Sequence, residues 1–507
     1  MFRDGARKSA WQEEIKRFSS VKVNSDHIKF DVIIAGGGIT GISTALHLQK
    51  LGKKCLLIEA SNIGFGTTGG TTAHLNTFFD TTFDEAISKY GEDQAKLLAE
   101  VGKDAIAIIQ NNIAAHEIDC DFETKSGYVF ALDDAQNKKL EKMVEGSKKV
   151  GVNMEFCKGI SFPVPFVSVA MVPDQAQFHP VKYIKKLAEA FISSGGTILE
   201  DCICISHLEE DSTITVKTSQ GEFKTENLVY ATHTPPGVNI LNMMTAPYRS
   251  YAIAFEIKDN KYSDDLIYDL EDPYHYYRTH IINGQKLLIA GGEDHKTGHE
   301  DTGVCFSNLE NYVRKYFDVG AAAYSWSSQY YESVDGLPFI GKLPGSSGNV
   351  FTATGFMGNG MIFGTISSQV IGDLIIKKEN KYEKLFDPGR VRPVSGFSDF
   401  VKENATSAFD FIKDKLFMTK IDSLAEIKDG EAKVVKYEGE SYAIYKESSD
   451  KIHVLKSTCP HTRCEVRWNS AEISWDCPCH GSRFSVNGRL LTAPSTQDLQ
   501  RIMLDDK

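Results

Sequence analysis

The 507-residue chain has no uninterrupted apolar run approaching the ~18 residues that a bilayer-spanning helix requires. No transmembrane segment is expected. Residues 1–20 mix Arg, Lys and Glu and lack the apolar core of a secretory signal, so the N-terminus is expected to be retained and the protein to be cytoplasmic. Basic residues are in deficit: 56 Lys and Arg against 68 Asp and Glu give a formal net charge of −12, and no Lys/Arg block stands out. Without a phosphate-reading stripe, nucleic acid is not an expected partner. Cysteine is thinly spread over most of the length. Cys55, Cys120, Cys157, Cys202, Cys204 and Cys305 are scattered and read as buried apolar thiols, whereas Cys459, Cys464, Cys477 and Cys479 crowd into one short stretch and read as metal ligands. No internal repeat is visible. The length exceeds what one hydrophobic core supports and predicts roughly three domains or subdomains.

What is present begins with a βαβ unit. Phe30 to Ala35 (FDVIIA) is a β-branched run ending in glycines, Ile39 to Leu51 reads as a helix, and Lys54 to Glu59 (KCLLIE) reads as a second buried strand. The middle, about Asp80 to Ser327, alternates helical segments (Asp84 to Gln110, Pro180 to Ser194) with strands (Thr213 to Thr218, Lys286 to Ala290), as an insertion carrying a largely antiparallel sheet would. Near Val350 a strand, Asn349 to Thr354, a glycine-rich turn and a helix, Thr365 to Lys377, close the first unit. Val394 to Lys420 reads as a short amphipathic connector. Beyond it come short strands such as Glu431 to Tyr437 and Glu440 to Tyr445.

Gly36, Gly38 and Gly41 form G-x-G-x-x-G between strand and helix, with Glu59 ending the next strand. Gly36 allows the tight turn, Gly38 lets a pyrophosphate approach the helix N-terminus, and Gly41 permits close helix packing. Glu59 would accept from an adenosine ribose. This pattern identifies a dinucleotide site without choosing between NAD and FAD.

That choice comes from a resemblance. The fingerprint, Gly66-Thr-Thr-Gly-Gly-Thr-Thr-Ala-His74, Asp335-Gly-Leu-Pro-Phe-Ile-Gly341 and Thr354-Gly-Phe-Met-Gly-Asn-Gly360 together resemble the D-amino-acid oxidase, glycine oxidase and sarcosine oxidase superfamily, from about Phe30 to Arg392. The resemblance implies FAD. It places backbone donors of Gly355, Gly358 and Gly360 at the flavin end, with Thr71, Thr72 and His74 lining the isoalloxazine or pyrophosphate. It also implies oxidation of a C–N bond, with hydride passing to the flavin. Amino-acid oxidases of this superfamily often carry an Arg-Pro pair five and four residues before the Asp of the D-G-x-P-x-I-G stretch, and here those positions are Tyr330 and Tyr331. The bidentate clamp for a substrate carboxylate is missing. A secondary or tertiary amine or a betaine-like compound is expected over a simple α-amino acid, with Tyr330, Tyr331 and His74 as candidate substrate-pocket residues. Where sarcosine oxidases attach flavin through a Cys, this chain has Ser328, and noncovalent FAD is expected.

Cys459-Pro-His461-Thr-Arg-Cys464 and Cys477-Pro-Cys479-His480-Gly-Ser482 resemble the two cluster-binding loops of Rieske proteins. The resemblance implies a [2Fe–2S] cluster with Cys459 and Cys477 on one iron and His461 and His480 on the other. A Cys₂His₂ set can also hold zinc. Against zinc, Cys464 and Cys479 lie where respiratory Rieske proteins carry a disulfide tying the loops together. High-potential relatives also place a Tyr two residues after the Ser, where this chain has Phe484, which implies a lower reduction potential.

The fold expected is an α/β, Rossmann-like FAD-binding domain interleaved with an α+β substrate domain, followed by a small all-β Rieske domain. The boundaries are an N-terminal extension at 1–29, the oxidoreductase at 30–393 with FAD-binding segments at about 30–80 and 328–393, a connector at 394–418, and the Rieske domain at 419–507. The function expected is an FAD-dependent dehydrogenase of a small amine-like molecule that passes electrons through the Rieske cluster to an unidentified acceptor. The alternative is an electron-transfer component whose two centres relay electrons between partner proteins.

Overall fold

The computed structural model describes residues 3–12, 17–18, 29–258, 262–390, 419–420 and 426–502. The β-branched run of the first strand, Lys29–Ala35, is enclosed on both sides. Val32 and Ile34 face one apolar cluster with Ile42 and Leu46 of the helix Ile39–Lys50, while Ile33 and Ala35 face a second cluster with Leu56 and Phe223. The alternation is the pleat of a strand buried on both faces. This strand pairs in parallel with Cys55–Ile58 and with Gly221–Tyr230.

The eight-stranded sheet so formed runs Phe339–Lys342, Val350–Thr354, Gly221–Tyr230, Lys29–Ala35, Cys55–Ile58, Thr197–Leu199, with Cys204–Glu210 and Thr213–Thr218 branching off. Strands from inside the middle stretch therefore join the two FAD-binding segments into one sheet. The helix Gly360–Ile375 covers it beside Ile39–Lys50 and starts at Gly360 rather than Thr365, because the glycine-rich segment leads straight into its first turn.

A nine-stranded sheet stands across from it, in the order Val319–Ser333, Thr245–Ile257, Gln285–Lys296, Tyr276–Ile282, Leu266–Tyr268, Glu123–Ala131, Ser168–Gln177, His74–Leu75, with Glu155–Phe156 branching off Ser168–Gln177. It is antiparallel except where Leu266–Tyr268 meets Glu123–Ala131. The helical stretch expected over Asp84 to Gln110 is two helices, Phe83–Tyr90 and Glu92–Ala115, broken at Gly91, whose φ of +86° suits glycine. At the C-terminal end, two four-stranded sheets carry the cysteine-rich loops. One joins Thr419–Lys420, Ala432–Tyr437, Glu440–Ser448 and Lys451–Lys456, and the other Arg467–Asn469, Ser474–Asp476, Arg483–Ser485 and Leu490–Thr492. The amphipathic connector lies outside the described residues, save for Thr419–Lys420. Among the described residues no helix is long and apolar enough to cross a membrane.

The polar N-terminal extension holds a place no periodicity signals. Residues 3–12 run between the two modules: Arg3 bonds Glu472 at 3.2 Å and the Ser327 carbonyl, the Asp4 carbonyl accepts from Arg483 at 2.6 Å, and the Trp11 indole donates to Thr71 O at 2.6 Å. Arg249 completes the junction, donating to Ser327 Oγ at 2.7 Å and lying 3.5 Å from Asp476. Arg3, Asp4, Arg249, Glu472, Asp476 and Arg483 are all at most 2% exposed, and three positive against three negative charges leave the set neutral. Balance of this kind is what makes so many charges tolerable out of water.

Candidate functional site

Between Ala35 and Ile39 the chain turns through Gly36, Gly37 and Gly38. Gly36 has φ +113°, and a Cβ there would sit 2.3 Å from Ala231 O. A Cβ on Gly41 would lie 1.9 Å from Gly36 O, so glycine is what lets the helix approach its strand. At Gly38 it would lie 2.9 Å from Thr68 Oγ1, the atom that accepts the Ile39 N–H at 3.0 Å. Gly38 contributes no side-chain cap, and with Ile39 and Thr40 it lines a cavity of about 920 Å³. Glu59 lines it too. Its carboxylate accepts from Gly37 N–H at 2.7 Å and Ser61 N–H at 2.9 Å, and burial pushes it up to about 7.

The cavity continues past Thr71 and Thr72 to a polar, aromatic end. His74 Nδ1 is 3.1 Å from Thr72 Oγ1, its Nε2 is buried without a partner, and burial lowers it to about 3, so the ring is neutral. Tyr268 and Tyr276 flank that ring at 5.4 and 5.5 Å. Tyr330 donates its hydroxyl to Asp294 Oδ2 at 2.9 Å, and Asp80 accepts the Gly358 N–H at 2.6 Å. A Cβ on Gly358 would fall 3.1 Å from both Asp80 Oδ2 and the Tyr274 hydroxyl, so glycine keeps this corner open. Burial raises Asp294 to about 7 and Asp80 to about 6. Several residues round the cavity hold left-handed backbone without being glycine: Ala73, His233, Glu293 and Met357, at φ +57°, +72°, +58° and +52°. Such strain gathers at functional sites.

The second site lies in the C-terminal module. Cys459 and Cys477 are fully buried, the imidazoles of His461 and His480 stand 4.9 Å apart at 86°, and His461 Nδ1 is buried with no partner. Cys464 and Cys479 form a disulfide across the two loops, as the resemblance implies, which removes them from the ligand set. Two thiols and two imidazoles remain together, a donor set that fits a Rieske cluster. These loops abut the first module. Tyr331 donates to His480 O at 3.0 Å, Gln329 Nε2 donates to Gly481 O at 2.9 Å, and His461 Nε2 lies 3.3 Å from Gly237 O.

The structure brings together at the cavity Gly36, Gly38, Glu59, Thr71, Thr72, His74, Gly358, Gly360 and Tyr330. Gly41 and Gly355 stand behind it as packing and turn positions; Gly355 has φ +72° and faces Ser333 and Thr245. Tyr331 departs from the expectation of a shared substrate pocket. Neighbours on a strand face opposite sides, so with Tyr330 turned into the cavity, Tyr331 is 1% exposed and points at the cluster loops. His233 stacks edge-on against it at 4.7 Å and itself lines the cavity. Sequence reasoning missed Asp80, Asp294, Tyr274 and Tyr276. The signal available was the Tyr274-His-Tyr276 alternation, which places two tyrosines on one face.

The glycine cradle at 36–38 and the buried, unpartnered Ser328 Oγ and His74 Nε2 on the wall fit an extended dinucleotide such as FAD. A family model described as FAD dependent oxidoreductase matches residues 31–374, and one described as Rieske [2Fe-2S] domain matches residues 417–503. The chain is 32% identical over 478 residues to a putative Rieske 2Fe-2S iron-sulfur protein, YhfW, of Bacillus subtilis (strain 168), covering 94% of each. It is 24% identical over 384 residues to gamma-glutamylputrescine oxidoreductase of Escherichia coli (strain K12), covering 72% of this chain and 88% of that protein. Among solved structures it is similar to glycine oxidase from Geobacillus kaustophilus, with a TM-score of 0.60 and 17% identity, over 72% of this chain and all of the other.

Proposed function

This chain belongs to the family of FAD-dependent oxidoreductases and carries a C-terminal Rieske [2Fe–2S] domain, and we propose that it is an amine dehydrogenase that passes electrons from its flavin to its own cluster. FAD supplies a two-electron acceptor for hydride from the carbon beside an amine nitrogen, and the cluster a one-electron carrier.

The observation that carries the reading is that one cavity is lined both by the fingerprint turn, Gly36 to Thr40, and by the Rieske hairpin segments around Ser485 and Arg489 to Ala493. The two cofactor modules share a wall. Gly36, Gly38 and Glu59 would hold the dinucleotide, and Gly358 and Gly360 would approach its flavin end. Cys459, Cys477, His461 and His480 would hold the cluster, with Tyr331 and Gly237 fixing the histidine loops against the flavoprotein module. Tyr330 and His74 would face the substrate. A hydroxyl held by Asp294 and a neutral imidazole make no carboxylate clamp, which favours an amine over an amino acid. The name gamma-glutamylputrescine oxidoreductase, which gives that relative an amine-derived small molecule to act on, supports the same class.

Anaerobic mixing with a panel of primary, secondary and tertiary amines tests this. Bleaching of the flavin band, with the cluster reduced in the same mixture, is the expected result. A flavin bleached by no amine yet reduced by an external protein or nicotinamide donor would instead establish the relay alternative.

A further inference from the structure

The polar end of the cavity has an unusual charge pattern. Asp294, on the strand Gln285–Lys296, is held by the Tyr330 hydroxyl through Oδ2, while its Oδ1 is out of solvent with only the Ser250 hydroxyl beside it. Asp80, on the opposite wall, is held by the Gly358 N–H and lies beside the Tyr274 hydroxyl, with its side chain open to the cavity. Among the described residues neither carboxylate is ion-paired with Lys or Arg. Two carboxylates facing one cavity repel each other when both are ionised, and desolvation penalises the charge on Asp294 in particular. Neutral donors hold both carboxyls, and among the described residues no Lys or Arg side chain balances their charge. Around it stand the rings of Tyr268, Tyr274, Tyr276 and Tyr330, whose negative faces attract cations and not anions.

We propose that this end of the cavity is a double cation site: Asp294 and Tyr330 hold one ammonium centre of the substrate, Asp80 and Tyr274 hold a second, and the natural substrate class is an aliphatic diamine or an amine bearing a second cationic nitrogen. Asp294 Oδ1, out of solvent and with the Ser250 hydroxyl as its nearest partner, is the geometric observation that leaves a place for a cation from outside the chain. An α-amino acid would bring its own carboxylate into a space already holding two. The assignment rests on reading the cavity as an amine site and goes further, naming the charge pattern of the ligand.

The test is calorimetric titration of the oxidised, cofactor-loaded protein with tetramethylammonium, with a four-carbon bis(trimethylammonium) dication, and with acetate. Quaternary nitrogens have no lone pair to assist oxidation, so they report binding alone. The dication should bind more tightly than the monocation, and acetate should not compete. Asp80→Asn should weaken the dication about tenfold to a hundredfold and leave the monocation unchanged, whereas Asp294→Asn should weaken both by that range, the usual effect of losing one charged partner. Flavin and iron content in each variant verifies folding. Wild-type affinity for the dication in both variants, or acetate binding more tightly than the cations, overturns the site. The two readings fail separately. Amines that bleach the flavin in a protein whose cation affinity ignores both aspartates sink the double site alone, and aspartate-dependent cation binding in a protein that no amine reduces sinks the dehydrogenase reading alone.

Discussion

Phe484 lies fully buried in the apolar cluster that contains Cys459 and Cys477, its strand paired with Trp475. A phenyl ring offers no donor, so an electron added to the cluster would lose one hydrogen bond that high-potential Rieske proteins are inferred to have. Phe484→Tyr should therefore raise the potential by roughly 40 mV, one hydrogen bond of about 1 kcal/mol at 59 mV per tenfold for a single electron. Voltammetry on the full-length variant reads this directly. An unchanged or lower potential, with the Rieske spectrum intact, would show that the added hydroxyl does not reach the cluster sulfurs. At the same scale, Tyr330 and Tyr331 show how one residue step separates two roles: one hydroxyl meets Asp294 in the cavity, the other meets His480 at the cluster.

The element proposed to control cofactor retention is the first turn of the helix Ile39–Lys50. Its approach to Thr68 leaves no room at Gly38, where even a Cβ would stand 2.9 Å from Thr68 Oγ1. Gly38→Val should push two methyl groups into the space a pyrophosphate would need and release FAD, while the Rieske spectrum persists because the cluster loops share no strand with this turn. Flavin-to-protein ratio after gel filtration is the measurement, and stoichiometric flavin in the variant would count against the site. The same variant should cost stability modestly. A collision with one hydroxyl is relieved by a rotamer change of Thr68, typically about 1–3 kcal/mol.

For the whole molecule the decisive feature is the buried junction of Arg3, Asp4, Arg249, Glu472, Asp476 and Arg483. Glu472→Gln leaves three guanidinium groups facing two carboxylates, and an uncompensated buried charge should cost about 3–5 kcal/mol. The expected readout is faster hydrogen exchange in residues 3–12 and around Ser327, with exchange in the strand Lys29–Ala35 unchanged. The pH dependence has a definite sign. Burial pushes the carboxyls of Glu472 and Asp476 up, but the neighbouring arginines outweigh it and hold both below their ordinary values. Folded pKa values below the unfolded ones mean the stabilisation is complete above about pH 4–5 and is lost as pH falls through the lower folded values. Protection at the junction, taken relative to the intrinsic exchange rate at each pH, should fall on acidification below about pH 4 and stay flat between pH 6 and pH 8. Protection lost on raising the pH instead would contradict the charge assignment.

How much could be read beforehand divides along physical lines. Properties carried by a few adjacent residues were legible: the strand–glycine–helix turn with Glu59 from its local spacing, and the paired loops bearing Cys459, His461, Cys477 and His480 from their resemblance to Rieske proteins. The βαβ unit and the all-β C-terminal module followed from apolar periodicity, and so did the general interleaving of the first module with a second sheet. The tertiary structure decided what depends on residues far apart in the chain. Asp80 and Asp294 are 214 positions apart and carry no motif, and only the packing of two sheets turns both into one cavity. Arg3 and Asp4 look like a solvated lead-in, because a sequence does not show that Glu472 and Arg483 will close over them. Local spacing is written in covalent geometry, whereas desolvation and charge pairing arise only when distant segments exclude water together.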